Sequence, residues 1–521
     1  MKNYPFKTLL LSAVSLLSMF VSSAFAASPI PPNNQLMVTT GLGQVAGVVK
    51  DDIVSFYGVP YAENPFVEGR RFQAPQAKQA WSGVLDASAL GAPTPQPSRG
   101  VKTELVGAPG DLTLNIWAPA EMGKLPGKLP VMVWIPGGAF IREDAGESVY
   151  NGSSYAKQGA IVVTVNYRVG VDGFMHLQGA PDNRGILDQI LALQWVQQHI
   201  AAFGGDPKQV TLFGQSAGAE SVAILLGTPA AKGLFHKAIM QSPPMQAVST
   251  AQATRLSEAF AERFKVAASI EGIASVPYPE LVAGVVALGQ QIQDREQWGE
   301  LSWGGTAFLP VMDGKLIVDT PMVNLAKNAD PSIPVIVGST DQEARLYLVP
   351  GGQLDRMTNA EVSLFLGDLK LAGKPMQVYS EDGQATQGDI FADIQSDYTF
   401  RMPALHIAET LVNNGNPVWH YNFSWRSKAF GGQLGAAHFV DVPFSFNTLA
   451  TDQAKAFVGS DAPQSLADSM HRQWLDFAKT GQVSWSQYQL NQRYSMRFDA
   501  QSKQQRDPEK SRRLLWDGYS F

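Results

Sequence analysis

Val210-Thr211-Leu212-Phe213-Gly214-Gln215-Ser216-Ala217-Gly218 joins an apolar, strand-like run to Gly-x-Ser-x-Gly, and Ala219 to Leu226 continues with helical character. A buried strand that ends this way and enters a helix reads as a nucleophile elbow. The turn holds its serine in a strained backbone conformation, and the glycines let neighbouring elements approach where a Cβ would block them. The serine hydroxyl is lifted to the top of the sheet, and the first N–H groups of the helix face any negative charge forming there. Ser216 is therefore the candidate nucleophile, against the plainer reading of a serine that caps a helix.

Outward from this point, strand-like and helix-like stretches alternate. Val131 to Ile135, Ile161 to Val165, Val210 to Phe213 and Val335 to Gly338 are short apolar runs followed by turn residues, as buried parallel strands are. Between two of them, Ile186, Leu187, Ile190, Leu191, Leu193 and Val196 recur with a helical period over 185–203. The pattern predicts an α/β fold: a large, mostly parallel central sheet flanked by helices. Stretches 249–300 and 355–395 are helix-rich and less regular, and are expected to be insertions shaping a mouth over the sheet. No repeat or low-complexity linker splits the chain, so residues 27–521 are expected to form one catalytic domain.

At 521 residues, with 45% hydrophobic and 17% charged residues, the chain has the composition of a soluble protein with an extensive core. Lys2 and Lys7 precede the apolar run Leu9 to Val21, and Ala24-Phe25-Ala26 is a small-x-small cleavage signal. Residues 1–26 therefore read as a secretory signal peptide, too short for a membrane span, and the protein is expected to be secreted or periplasmic. There are no cysteines, which removes disulfides and thiolate chemistry and fits a bacterial periplasm or exterior. The formal charge of −6 argues against nucleic acid as a partner. No metal-ligand spacing, P-loop or dinucleotide fingerprint is present, so no cofactor is expected.

Several ordered segments resemble the type-B carboxylesterases of the α/β-hydrolase fold, which include the cholinesterases. They are Phe56-Tyr57-Gly58-Val59-Pro60-Tyr61-Ala62, Asp111-Leu112-Thr113-Leu114-Asn115-Ile116-Trp117, Asn166-Tyr167-Arg168-Val169-Gly170, Asn183 to Gln189, Phe203-Gly204-Gly205-Asp206-Pro207, Leu309 to Gly314 and Asp397-Tyr398-Thr399-Phe400. The resemblance covers nearly all of the mature chain and implies a serine esterase acting on a small-molecule carboxylic ester.

A serine hydroxyl needs a base, and the base an orienting acid. Of seven histidines, His176, His199, His236, His406, His420 and His471 lie in segments that read as structural. His438 sits in the small-residue loop Gly435-Ala436-Ala437-His438, and the following Val440-Asp441-Val442-Pro443-Phe444 resembles the family segment after its catalytic histidine. The acid must fall between serine and histidine in this fold. Counting from Gly338 at the end of the strand Pro334 to Gly338, the family glutamate falls on Glu343; Gln342-Glu343-Ala344 departs from the usual Asp-Glu-Gly, which keeps Asp341 as an alternative. In Ile135-Pro136-Gly137-Gly138-Ala139-Phe140, Gly138 and Ala139 fall on the family's oxyanion-donor positions, joined by the Ala217 N–H. Ala139 stands where glycine is usual. It keeps its N–H, so the hole survives if its φ is negative, and its methyl should narrow the acyl pocket.

Gln215 replaces a glutamate common beside the nucleophile, which weakens attraction for cationic alcohols. Ser242 resembles a serine that supports the histidine network. Arg142, Glu143 and Asp144 behind the oxyanion loop are either a polar-substrate rim or a solvated loop. Two rival functions stand beside the esterase: a lipase or an esterase for a bulky or polar ester, and a non-catalytic binding protein on the same fold.

Overall fold

Val131, Val133 and Ile135 bury their side chains in one core, while Met132 and Trp134, between them in sequence, enter another. Ile161, Val163 and Val165 against Val162, Leu212 against Phe213, and Val335 and Val337 against Ile336 divide in the same way. This period of two, apolar on both sides, is what a strand needs to sit between two layers. Each such side chain, taken fully out of water, contributes about 2 kcal/mol.

The computed structural model describes residues 34–519 except 100–101, 126, 303–305, 372–375 and 381–384. The expected leader, residues 1–26, lies outside the described residues. The strands of the main sheet are β1 (Gln35–Thr39), β2 (Gln44–Lys50), β3 (Ile53–Ala62), β4 (Val84–Asp86), β5 (Leu112–Pro119), β6 (Leu129–Ile135), β7 (Ile161–Val165), β8 (Gly205–Gln215), β9 (Lys237–Gln241), β10 (Val335–Thr340), β11 (Val418–Phe423), β12 (Tyr494–Phe498) and β13 (Lys503–Arg506). They form a 13-stranded sheet in the order β1-β2-β3-β5-β7-β6-β8-β9-β10-β11-β12-β13, with β4 on β2. From β7 to β12 in this order all neighbours are parallel. The first five strands of the order and the last pair are antiparallel.

Helices α1 (Arg184–His199), α2 (Ala217–Leu226) and α3 (Met402–Asn414) cover one face, where Ile186, Val222 and Leu405 join the larger core. Helix α4 (Gln464–Thr480) covers the other. Its buried Leu466, Met470, Trp474 and Phe477 recur at three- and four-residue steps, and Trp474 shares a core with Trp134 and Phe213. The two irregular stretches are helical insertions, with Thr250–Glu262 and Tyr278–Gln291 in the first and Asn359–Asp368 and Gln387–Ser396 in the second. Among the described residues no helix is long and apolar enough to cross a membrane.

A buried ion pair fixes α1 beneath the sheet edge. Arg168 Nε and Nη2 donate to Asp188 Oδ2 and Oδ1 at 2.8 and 2.7 Å, and neither side chain is exposed. Because β6, β8, β9, β10 and β11 are parallel, the segments leaving their carboxyl ends share one edge of the sheet. Gly137–Ala139, Ser216, Ser242, Glu343 and His438 all lie on those segments, where open α/β sheets bind ligands.

Candidate active site

Ser216 stands between β8 and α2 with φ 58° and ψ −129°. Both glycines of the elbow are required by close approach. A Cβ on Gly218 would stand 2.0 Å from the Ile135 carbonyl oxygen, and one on Gly214 would stand 2.5 Å from the carbonyl carbon of Gly218. The Ser216 N–H donates to the Gln241 carbonyl at 2.9 Å, extending the pairing of β8 with β9 into the turn. Ala217 is the first residue of α2, so its N–H has no partner within the helix.

Glu343 follows β10 and is fully buried. Its Oε1 accepts from Ser242 Oγ at 2.6 Å and from the Thr340 N–H at 2.7 Å. Its Oε2 lies 2.5 Å from His438 Nδ1, a contact between residues 95 apart in sequence. The two loops are also joined through their backbones: the His438 N–H donates to the Glu343 carbonyl at 3.1 Å and the Gln342 N–H to the Ala436 carbonyl at 2.8 Å. Asp341 is turned away. Its backbone N–H donates to the Phe423 carbonyl, its carbonyl accepts from Arg401, and its carboxyl faces Ser424. Of the two carboxylates, Glu343 is the one that meets His438.

With a carboxylate on Nδ1, that nitrogen carries the proton and Nε2 presents a lone pair. Gln215 Nε2 lies 2.9 Å from His438 Nε2 and donates to it. The hydrogen bond of Nε2 in this structure is thus to the neighbour of Ser216 rather than to Ser216. The His438 ring packs on Phe400, whose centroid is 4.3 Å away, and on Tyr347 at 5.8 Å, two rings that are themselves stacked at 6.3 Å. Beneath it, Asp441 Oδ2 accepts from Gln241 Nε2 and from the Tyr421 hydroxyl, each at 2.9 Å. Burial pushes the Asp441 carboxyl up to about 6; the Glu343 charge adds to the rise, and the Gln241 and Tyr421 bonds oppose it.

The oxyanion-loop candidates lie beside the elbow. A Cβ on Gly137 would meet the Gln215 carbonyl oxygen at 2.5 Å and Ser216 Cβ at 3.0 Å. The condition set for Ala139 is not met: its φ is +57°, flanked by Gly138 at +131° and Phe140 at +58°. The reason is local closure. The Ile141 and Arg142 N–H groups both donate to the Gly138 carbonyl at 3.2 Å, and Gly170 N–H to the Phe140 carbonyl at 2.6 Å, which forces a tight reversal through Ala139. The positive φ reverses the chain but does not remove the amide hydrogen: these bonds use neither the Gly138 nor the Ala139 N–H, so both stay available as donors despite the unmet condition.

The charged rim is not a solvated loop. Arg142 is 8% and Glu143 1% exposed. Gln96 clamps the loop from below, its Nε2 donating to the Glu143 carbonyl and its Oε1 accepting from the Glu143 N–H, both at 2.5 Å.

Four other histidines have structural partners: Asp182 for His176, the Val210 N–H for His236, Ser495 for His420, and Ser154 with the Ser445 carbonyl for His471. Sequence reasoning did not single out Phe400, Gln241 or Asp441 individually. Phe400 and Asp441 lie inside segments that carried the family resemblance, and that was their signal. Among the described residues no group of three or more histidines and acids is arranged to hold a metal.

An elbow serine, a buried carboxylate–imidazole pair and a glycine-rich loop, all at the carboxyl edge of a mostly parallel sheet, define an α/β-hydrolase. A profile of the carboxylesterase family matches residues 34–516, and the chain belongs to that family. It is similar to the para-nitrobenzyl esterase of Bacillus subtilis (strain 168), with 35% identity over 92% of this chain and 97% of that protein. The phenmedipham hydrolase of Pseudarthrobacter oxydans is 33% identical over 86% of this chain and 90% of its own. A solved carboxylesterase from Geobacillus stearothermophilus superposes with a TM-score of 0.81 at 31% identity, covering 92% of this chain and 100% of that one. The chain is a carboxylic-ester hydrolase.

Proposed function

We propose that this protein is an exported serine carboxylesterase that works through Ser216, His438 and Glu343 and an acyl-enzyme intermediate. His438 Nε2 takes the Ser216 proton as Ser216 Oγ attacks the ester carbonyl. Glu343 holds the imidazole tautomer and stabilises the imidazolium. The N–H groups of Gly138, Ala139 and Ala217 receive the oxyanion, at about 3 kcal/mol of transition-state stabilisation per donor. His438 returns its proton to the leaving alcohol, and water enters by the same roles in reverse.

The observation that carries this reading is the 2.5 Å contact between Glu343 and His438 at the sheet edge that bears the Ser216 elbow. A non-catalytic binding protein has no use for a buried, fully bonded carboxylate aimed at an imidazole nitrogen. The leader sequence supports export with cleavage after Ala26, which N-terminal sequencing of the mature protein tests.

The deciding experiment is hydrolysis of p-nitrophenyl acetate, butyrate and octanoate by the mature protein and by Ser216→Ala. Activity abolished by the substitution is the expected result. Equal rates in both proteins would remove Ser216 from the chemistry.

A further inference from the structure

The helix Gln387–Ser396 and α3 are joined by a five-residue π turn, Asp397–Arg401. Such a turn interrupts the regular helical ladder, and π turns recur where a fold places side chains for function. Here two consecutive residues of the turn reach two different loops of the active site. The Phe400 ring packs on the His438 ring at 4.3 Å. Arg401, 4% exposed, donates from Nη1 to the Asp341 carbonyl at 2.7 Å, on the loop that carries Glu343.

That carbonyl belongs to the peptide unit whose N–H is the Gln342 N–H, and this N–H donates to the Ala436 carbonyl at 2.8 Å. One peptide plane is thus pinned from both sides, by Arg401 and by the loop that carries His438. Gln342 Oε1 reinforces the second side by accepting from the Ala436 N–H at 3.0 Å. Glu343 is the residue that follows this plane, so a rotation of the plane would swing its carboxylate away from His438 Nδ1.

A buried guanidinium is costly unless it is paired. Arg401 Nη2 pairs with Asp397 Oδ1, and Asp397 Oδ2 is itself held by the Tyr379 hydroxyl at 2.6 Å. Burial acts to lower the Arg401 pKa, but Asp397, then Glu509, Asp393 and Asp341, outweigh it and hold the group charged. The planar fork serves a carboxylate and the acid-loop carbonyl at once and in fixed directions, which an ammonium on a flexible stem does not.

We propose that Arg401 is a positioning residue of the esterase: it locks the Asp341–Gln342 peptide so that Glu343 stays on His438 Nδ1. This rests on the esterase reading of Ser216, Glu343 and His438.

The test compares Arg401→Lys, which conserves charge, with Arg512→Lys in the same cluster, where the arginine bonds to Asp393 at 2.7 Å. Arg401→Lys should lower kcat ~10–100-fold with KM changed less than about threefold, because the pair is misplaced while the substrate pocket is untouched. Its acid limb of kcat/KM should move to lower pH by roughly half a unit, since a loosened Glu343 stabilises the imidazolium less. The strongly deshielded Nδ1 proton of His438 in the NMR spectrum should move upfield or broaden. Arg512→Lys should leave kcat, acid limb and proton resonance as in the wild type. Arg401→Gln, read by kcat and the resonance, is carried beside them so that a lysine variant that fails to fold does not shield the proposal. A folded Arg401 variant with kcat within about twofold of wild type, or equal losses in the Arg401 and Arg512 variants with limb and resonance unmoved, would overturn it. Hydrolysis of p-nitrophenyl acetate by the wild type reports separately on the esterase reading, because the proton resonance needs no turnover.

Discussion

The carboxamide nitrogen of Gln215 sits 2.9 Å from His438 Nε2, the nitrogen that accepts the Ser216 proton in the mechanism proposed above. The resting base is thus occupied by a neutral donor from the residue adjoining the nucleophile. When substrate arrives, that N–H must give way. Once the imidazolium forms, the same side chain can offer its oxygen to Nε2–H by a half-turn of the amide. A glutamate there presents acceptors only.

Gln215→Glu should therefore move the acid limb of the kcat/KM profile to higher pH, by roughly one unit. The sign follows from charge: a carboxylate beside the ring favours the protonated form, so a higher pH is needed to obtain the neutral base. The same variant should gain relative activity on choline esters over neutral esters. An acid limb that stays in place would show that Gln215 does not control the base.

Glu343→Gln should lower kcat about 10³–10⁴-fold while leaving the protein folded, because an amide N–H facing Nδ1 imposes the wrong tautomer. Asp341→Asn should leave kcat within about twofold, since its carboxyl faces Ser424 rather than His438. Steady-state kinetics of the two variants side by side decides between the carboxylates.

Ala139 holds φ +57°, a conformation that costs an alanine about 1 kcal/mol relative to glycine. Ala139→Gly should hold or raise the melting temperature and increase the octanoate-to-acetate rate ratio several-fold by removing the methyl. A ratio that does not change would place that methyl outside the acyl pocket.

Arg168 and Asp188 form a doubly bonded ion pair with no exposed surface. Arg168→Met or Asp188→Asn alone should destabilise the fold by about 3–5 kcal/mol in urea titration, since each strands a buried partner. The combined Arg168→Met and Asp188→Leu variant should lose less than the sum of the single losses.

The parts of this molecule that were legible in its sequence are those where local pattern and tertiary demand coincide. The strands β6, β7, β8 and β10 are continuous apolar runs because both their faces are covered. The elbow glycines are dictated by neighbouring backbone so close that a Cβ on Gly218 would stand 2.0 Å from the Ile135 carbonyl oxygen. The family resemblance, counted from Gly338, placed Glu343 with Asp341 as the alternative, and the contact with His438 Nδ1 is what separates them. The antiparallel strands at the β1 side were not read as strands: β3 and β5 run over 10 and 8 residues, but Ser55, Gly58, Thr113 and Asn115 interrupt their apolar pattern. Nor could the reach of Gln215 to a ring 223 residues away be read, because side-chain direction belongs to packing rather than pattern. The positive φ of Ala139 depends partly on a bond from the Gly170 N–H to the Phe140 carbonyl, which no local window contains. The burial of Arg142 depends on Gln96, distant in sequence, clamping the next residue along the loop.

Glu343 gathers its bonds from Ser242, Thr340 and His438, while Gln241 beneath them is held by Trp474 Nε1 at 3.1 Å. The contributors are spread from the middle of the chain to its last long helix. A nascent chain emerging from the ribosome therefore has no hydrolytic capacity until nearly all of it has been synthesised and α4 has docked. Turnover becomes a certificate of completed folding: in a refolding time course it should return last, after the sheet signal has already recovered.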